Sequence, residues 1–234
     1  MQVSVFGLDY VGSVAAGCLA SQGHDVITVD PDPDKVAMIR RAVAPVNEPG
    51  LSRLIQDAVA AERLRATTNL AEAIVGSSLT VICAGTADRQ GCPDLSLILP
   101  LCEEIGRAIS EKTKFHVVVL RSAVRPGTVR DFILPALERA SGRRAGVDFG
   151  LGISPQFLRR GNAVEDYLNP PAMILGVTDD ETLARLRELD IALEAPELVV
   201  ELDEAEAMLQ ANLPPAAPFR SASGPSPAAS PAMA

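Results

Sequence analysis

The first thirty residues constrain the fold more than any other part of the chain. An apolar run that contains Val3 and Val5 leads into Gly7-Leu-Asp-Tyr-Val-Gly12, and a helical segment rich in small residues follows. A second apolar run then ends at Asp30. This order of strand, glycine turn, helix, strand and terminal acid is typical of the first unit of a doubly wound α/β sheet that binds a dinucleotide.

The glycine spacing explains how such a turn holds phosphates. In the pattern G-x-G-x-x-G the first glycine makes the turn, the second lets the backbone approach the pyrophosphate, and the third lets the helix pack on the strand. Gly7 and Gly12 occupy the first and third positions, whereas Asp9 stands at the second. We therefore expect a weakened phosphate site. The alternative is a doubly wound domain whose turn binds no nucleotide.

The acid at the end of the second apolar run indicates which dinucleotide would bind. Asp30 is placed to accept hydrogen bonds from the adenosine ribose hydroxyls. Asp32 and Asp34 follow it and would repel a 2′-phosphate. The pattern favours NAD over NADP.

Composition excludes several other classes of protein. The chain has 234 residues, 47% of them apolar, which is ample for the core of one large domain or two small ones. A net charge of −9 argues against nucleic acid or an anionic membrane as partner. We find no apolar run of membrane-spanning length and no signal-peptide pattern, and expect a cytoplasmic protein. The four cysteines show neither metal-ligand spacing nor a disulfide framework, so no metal site is expected.

Apolar runs alternate with helical segments along the rest of the chain. We predict further strands at residues 79–83, 117–120, 147–153 and 173–175, and helices at residues 33–41, 49–61, 69–75, 95–109, 127–140 and 180–193. Asn69 is a predicted N-cap, with Glu72 closing a capping box. The alternation predicts an α/β fold, a doubly wound, mostly parallel, Rossmann-like sheet over residues 1–193.

Five segments of the chain occur together, in the same order and spacing, in one known family. The segments are Gly7-Leu-Asp-Tyr-Val-Gly12, Asn47-Glu-Pro-Gly-Leu51, Cys83-Ala-Gly-Thr86, Arg121-Ser-Ala-Val-Arg-Pro-Gly-Thr128 and Ser154-Pro-Gln-Phe-Leu-Arg159. They resemble the N-terminal, NAD-binding half of the UDP-glucose/GDP-mannose 6-dehydrogenases. The resemblance covers roughly Met1 to Leu193 and is closest to the GDP-mannose 6-dehydrogenases in the stretch 141–150.

The resemblance implies an activity and a set of cofactor contacts. Members of the family use NAD to take two hydrides from the C6 carbon of a nucleotide sugar while a cysteine holds that carbon covalently. The match would place Gly7, Tyr10, Val11 and Gly12 at the pyrophosphate, Asp30 and Lys35 at the adenosine ribose, and Thr86 near the dinucleotide. The alternatives are a solvated helix lysine for Lys35 and an ordinary turn residue for Thr86.

The chain departs from the family at positions where chemistry would occur. Besides Asp9, Ala87 stands in place of a proline, Ala123 of a threonine, Gln156 of a glutamate and Arg160 of a further acid. An amide cannot replace a carboxylate that activates or orders water, because it neither titrates nor carries charge. The family's nucleophilic cysteine motif also lies in a second half that this chain lacks, so we assign no catalytic residue.

The carboxy end changes character abruptly. Residues 194–212 are predicted to be the truncated start of the family's central helix region. A helix at residues 201–212 weakly resembles the beginning of that central helix, with Leu209 or Gln210 where a lysine is expected. Residues 213–234 are rich in Pro, Ala, Ser and Gly, a composition typical of disorder. We interpret this change as the mark of a truncated or frameshifted gene. The alternative is a natural flexible tail.

Three hypotheses for function remain at this point. The chain is a working nucleotide-sugar 6-dehydrogenase, a degenerate product that keeps the dinucleotide fold without turnover, or an inactive regulatory subunit that pairs or dimerises with an intact dehydrogenase. We favour the second for the isolated chain. Whether it is an enzyme stays undecided by sequence.

Overall fold

The computed structural model describes residues 1–83, 88–89, 92–93, 95–122, 124 and 126–211. Its centre is an eight-stranded sheet with the strand order β10-β9-β8-β7-β4-β1-β2-β3. All neighbouring strands are parallel except β8 and β9, which run antiparallel. The predicted doubly wound, mostly parallel sheet is confirmed.

The strands and helices alternate along the chain. The strands are β1 (Gln2–Phe6), β2 (Asp25–Val29), β3 (Leu64–Thr67), β4 (Leu79–Ile82), β5 (Asp88–Arg89), β6 (Cys92–Pro93), β7 (Val117–Leu120), β8 (Gly150–Ile153), β9 (Met173–Val177) and β10 (Glu197–Val200). The helices are α1 (Tyr10–Ser21), α2 (Pro33–Arg40), α3 (Leu51–Ala60), α4 (Leu70–Val75), α5 (Ile98–Ser110), α6 (Leu134–Ser141), α7 (Ala163–Leu168), α8 (Asp180–Leu189) and α9 (Leu202–Ala211). A π-helical turn, Val129–Ile133, precedes α6, and β5 and β6 form a separate short hairpin.

Two strands of the sheet escape prediction from sequence. The strand β3 has four residues, and the exposed Arg65 interrupts its apolar character. The strand β10 lies at the edge of the sheet and alternates between exposed and half-buried residues. The sheet therefore extends past the domain boundary predicted at Leu193, and α9 packs on β9 beside it. The predicted tail, residues 213–234, lies outside the described residues.

Apolar side chains form one core on each face of the sheet. Residues of α1, α2, α3, α7 and α8 cover one face, and residues of α4, α5, α6 and α9 cover the other. The strands β1, β4 and β7 are buried along their whole apolar length because helices pack on both sides. These central strands carry the turns where the candidate site lies.

The turn between β1 and α1 depends on two glycines. Gly7 has a φ of +94°, a conformation that residues with a side chain rarely adopt. A Cβ atom on Gly12 would lie 1.7 Å from the carbonyl oxygen of Gly7. Only glycine at position 12 lets the first turn of α1 approach the end of β1 this closely.

The predicted capping box at α4 is half correct. The side chain of Asn69 accepts a hydrogen bond from the Glu72 amide at 3.2 Å, as expected of an N-cap. The Glu72 carboxylate, however, accepts from the hydroxyl of Thr67 at 3.1 Å, and that hydroxyl accepts from the Asn69 amide at 3.0 Å. The threonine at the end of β3 thus stands between the two residues of the box.

The helix predicted at residues 127–140 is divided into two kinds of turn. The chain forms the π-helical turn Val129–Ile133 before the α-helix begins at Leu134. Pro135 is the second residue of α6 and has no amide hydrogen to donate to an earlier carbonyl. A wider turn just before it is consistent with that missing hydrogen bond.

A buried ion pair joins the sheet to α8. Arg121, at the end of β7, donates two hydrogen bonds to the carboxylate of Asp190, at 2.8 and 3.0 Å, and one to the hydroxyl of Tyr167. The side chains of Arg121 and Asp190 are 0% and 2% exposed. Because water cannot replace either partner there, each depends on the other.

We expect Asp190→Ala to lower the free energy of unfolding by about 3 to 5 kcal/mol, since it leaves a buried guanidinium without its carboxylate. The control is Glu197→Ala, which breaks the exposed pair with Arg187 and should cost less than about 1 kcal/mol. Urea denaturation of both variants measures the difference. Equal losses of unfolding free energy in the two variants would show that burial does not make the Arg121–Asp190 pair more sensitive to the removal of one partner.

Candidate functional site

The candidate site is a cavity of about 670 Å³ at the carboxyl ends of β1 and β2. This volume lies in the range of small-molecule pockets. Apolar side chains from β1, β2, α4 and α5 form most of the wall, and Gly7, Asp9, Asp30, Lys35 and Glu104 also line it. In parallel sheets ligands bind at this edge, and here the strand order reverses beside β1.

Asp30 is held in one orientation at the wall of the cavity. One carboxylate oxygen accepts from the Leu8 amide at 2.6 Å, and the other accepts from the Asp32 amide at 2.9 Å. The residue is 4% exposed. A carboxylate has about four acceptor positions, so two are not used by these amides, and Lys35 Nζ lies 3.6 Å from one of the two oxygens.

Asp9 and Lys35 form an ion pair across the turn. The Lys35 Nζ atom lies 2.5 Å from Asp9 Oδ1 and 3.6 Å from Asp30 Oδ2. The Asp9 side chain is 67% exposed and makes no hydrogen bond to the helix amides that it precedes. Its φ of −77° is ordinary, so the backbone accepts an aspartate here without strain. Lys35, predicted at the ribose, therefore contacts both aspartates.

Glu48 connects the start of α1 to a distant loop. Its carboxylate accepts from the Tyr10 hydroxyl at 2.7 Å, from the Gly161 amide at 3.0 Å and from the Ala163 amide at 2.7 Å. Arg160 lies over the Tyr10 ring, 4.5 Å from its centroid. The sequence pattern does not predict these contacts of Glu48, and the one signal at this position is the matching segment Asn47-Glu-Pro-Gly-Leu51.

The same contacts shift two ionisation equilibria. Burial and the neighbouring Glu48 carboxylate raise the pKa of Tyr10 to about 12. Burial opposes ionisation of Glu48, but the hydrogen bonds from Tyr10, Gly161 and Ala163 outweigh it and lower the pKa of its carboxyl group. Glu48 is thus held as a carboxylate at neutral pH.

We expect Glu48→Gln to reduce stability at pH 7 and to matter less in acid. Because the folded-state pKa is lowered, the ionised group stabilises the fold above its unfolded pKa of about 4.3, and this contribution is lost as pH falls through the folded value. Urea denaturation at pH 7 and pH 3.5 measures the difference, with exposed Glu194→Gln as the control. If Glu48→Gln loses the same stability at both pH values, the pKa of Glu48 is not lowered in the folded protein.

The structure brings most predicted cofactor residues together. Gly7, Asp9, Asp30 and Lys35 line one cavity, and Tyr10, Val11 and Gly12 form the first turn of α1 beside it. Thr86, Ala87 and Ala123 lie outside the described residues. Gln156 is half-buried in the loop after β8.

The described cysteine side chains are poor nucleophiles. Cys18, Cys83 and Cys102 are free and buried, and burial raises the pKa of each thiol to about 12. The thiolate is the reactive form, so these groups are unreactive at neutral pH. The side chain of Cys92 is outside the described part of the chain, and its backbone lies in β6.

Two kinds of feature are absent from the described residues, a membrane-spanning helix and a metal-binding cluster. None of the helices in the described ranges is long and apolar enough to cross a membrane. In the same part of the chain, no group of three or more His, Cys, Asp and Glu residues is arranged to hold a metal ion.

The sheet order, the glycine turn and the acid at the tip of β2 define a dinucleotide-binding domain of the doubly wound class. A family model described as the NAD binding domain of the UDP-glucose/GDP-mannose dehydrogenase family matches residues 1–192. The chain belongs to this family.

Individual relatives agree with this assignment. The GDP-mannose 6-dehydrogenase of Azotobacter vinelandii is 43% identical over 197 residues, which cover 84% of this chain and 45% of the relative. That of Pseudomonas aeruginosa is 44% identical over 207 residues, covering 88% and 48%. A crystal structure of a ternary complex of GDP-mannose dehydrogenase from Pseudomonas aeruginosa superposes with a TM-score of 0.87 at 43% identity, covering 90% of this chain and 48% of the other. The chain spans about half the length of these relatives.

Proposed function

We propose that this chain binds NAD in the cavity beside β1 and β2, with the adenosine half against the apolar wall and the pyrophosphate at the start of α1. The observation that carries the proposal is the fixed carboxylate of Asp30. Two backbone amides orient it at the cavity wall and leave acceptor positions for ribose hydroxyls.

The surroundings of Asp30 also fit a dinucleotide. Phe6, Val29, Leu70 and Leu101 offer apolar contact to an adenine ring. The missing Cβ atom of Gly12 brings the N-terminus of α1 close to β1, and a helix N-terminus attracts phosphate groups. These residues bind and orient the cofactor, and the bound nicotinamide would supply hydride transfer.

The relatives named above indicate the substrate class. Their names describe oxidation of GDP-mannose at C6, so a nucleotide sugar is the substrate that we propose for a complete protein of this type. In the mechanism that the family resemblance implies, a reactive cysteine captures the aldehyde covalently. The three described thiols are buried in the core, and burial raises the pKa of each to about 12, so we propose that none of these three completes the reaction.

Asp9 makes the proposed NAD site weak. Two like charges about 4 Å apart repel by about 1 kcal/mol in water and about 4 kcal/mol at an effective dielectric of 20. Lys35 neutralises part of the Asp9 charge, so the lower part of this range applies. We propose that NAD binds about ten- to a hundredfold less tightly than it would to a glycine at this position.

The NAD site is tested by calorimetric titration of NAD into the unmodified chain, Asp9→Gly, and Asp9→Gly combined with Asp30→Ala. We expect Asp9→Gly to bind about ten- to a hundredfold more tightly than the unmodified chain. Adding Asp30→Ala should reduce the affinity for NAD by a similar factor, because a hydrogen bond to a charged group contributes about 1.5 to 3 kcal/mol. Adding the exposed Asp34→Ala instead is the matched control. An Asp9→Gly protein that does not bind NAD would refute the proposed function.

Turnover is tested separately, by recording NADH absorbance with NAD and GDP-mannose or UDP-glucose. We expect no NADH from the unmodified chain or from Asp9→Gly, because restoring the phosphate site does not supply a thiolate. NADH formation that disappears when one of Cys18, Cys83, Cys92 or Cys102 is replaced by serine would overturn this expectation.

A further inference from the structure

The cavity contains an ion pair at the place where a nucleoside would continue into its phosphates. Asp9 lies after Gly7 at the start of α1, and its carboxylate is held by Lys35 Nζ at 2.5 Å. Both residues line the same cavity as Asp30. The protein therefore pairs the Asp9 carboxylate with the Lys35 ammonium group next to Asp30, the residue proposed to bind the ribose.

The remaining charges of the cavity are also unfavourable for phosphate. Among the described residues that line it, Asp9, Asp30 and Glu104 are acidic and Lys35 is the one cation. Lys35 is shared between Asp9 and Asp30, at 2.5 and 3.6 Å. If Lys35 turned toward a phosphate it would leave the Asp9 carboxylate unpaired next to that phosphate. If Lys35 instead stays on Asp9, the phosphate gains no cation, so neither position of the lysine provides a free positive charge.

The apolar wall, in contrast, does not depend on ligand charge. Phe6, Val29, Leu97 and Leu101 provide a surface for a flat ring, and Asp30 provides acceptors for hydroxyl groups. An uncharged ring joined to a sugar with free hydroxyls satisfies both features. Added phosphates meet the amides at the start of α1, but the lysine of the cavity is already engaged by Asp9 and Asp30.

We propose that Asp9 and Lys35 make this cavity selective for an uncharged purine nucleoside over the corresponding nucleotides. Adenosine binds at least as tightly as ADP, whereas an ordinary dinucleotide turn favours the phosphates. Asp9 is the specificity-determining residue, and Lys35 is its positioning partner. The proposal rests on the proposed function, because it takes the same cavity as the adenosine half of an NAD site.

The test is calorimetric titration of adenosine, AMP and ADP into the unmodified protein, Asp9→Gly, Asp9→Asn and Lys35→Met. In the unmodified protein we expect affinity to stay level or fall from adenosine to ADP. Asp9→Gly and Asp9→Asn should bind ADP at least about tenfold more tightly, because Lys35 becomes available to phosphate. Adenosine affinity should change less than about threefold in both variants.

Lys35→Met separates the two residues of the pair. It leaves the Asp9 charge unpaired, so ADP should weaken by about tenfold while adenosine changes little. Lys114→Met is the matched control, because it removes the same charge from an exposed position at the opposite, amino-terminal edge of the sheet. Thermal melting followed by circular dichroism confirms that each variant is folded.

The results of these titrations distinguish the proposed nucleoside selectivity from the proposed NAD-binding function. If ADP binds the unmodified protein more tightly than adenosine, the inference is overturned and the dinucleotide site stands. If neither adenosine nor ADP binds the unmodified protein or Asp9→Gly, both are overturned. Loss of adenosine binding in Asp30→Ala, together with the expected order of affinities, supports both.

Discussion

The close approach of α1 to the end of β1 is the contact on which the site depends. It exists because Gly12 has no Cβ atom, which would lie 1.7 Å from the Gly7 carbonyl oxygen. That approach aims the helix N-terminus at the carboxyl edge of the sheet, beside the Leu8 amide that donates to Asp30 at 2.6 Å. The missing side chain of Gly12 and the positive φ of Gly7 together form the turn that carries this amide, and the Asp32 amide completes the orientation of Asp30.

The fold was predictable where local pattern and tertiary packing agree. The continuous apolar runs at β4 and β7 are buried on both faces, so their composition alone identifies them. The strands β3 and β10 were missed because one is short and interrupted by Arg65, and the other lies at an edge with half its residues exposed. Their position is fixed by pairing with neighbours, which a single-sequence pattern does not contain.

The sequence predicts which residues belong to the site but not which side chains contact one another. Glycine spacing and the acid about 20 residues later located Gly7, Gly12 and Asp30, since backbone geometry alone demands those residues. The Asp9–Lys35 pair joins residues 26 positions apart, and the Glu48 contacts to Gly161 and Ala163 span more than a hundred. Sequence spacing carries no information about which charged side chains meet across such distances.

The structure changes the physical meaning of an aspartate in the glycine position. From the sequence alone, the Asp9 carboxylate is expected to repel the phosphates of a dinucleotide, and its side chain is expected to occupy space that a glycine would leave open to them. In the structure the backbone at Asp9 is unstrained, the side chain is largely exposed, and Lys35 holds it. The backbone therefore needs no adjustment to hold an aspartate, and the side chain adds its volume and a partly neutralised charge to the cavity wall. Because a lysine that neutralises Asp9 cannot also neutralise a phosphate, the pair reduces the penalty for ligand binding without turning it into an attraction.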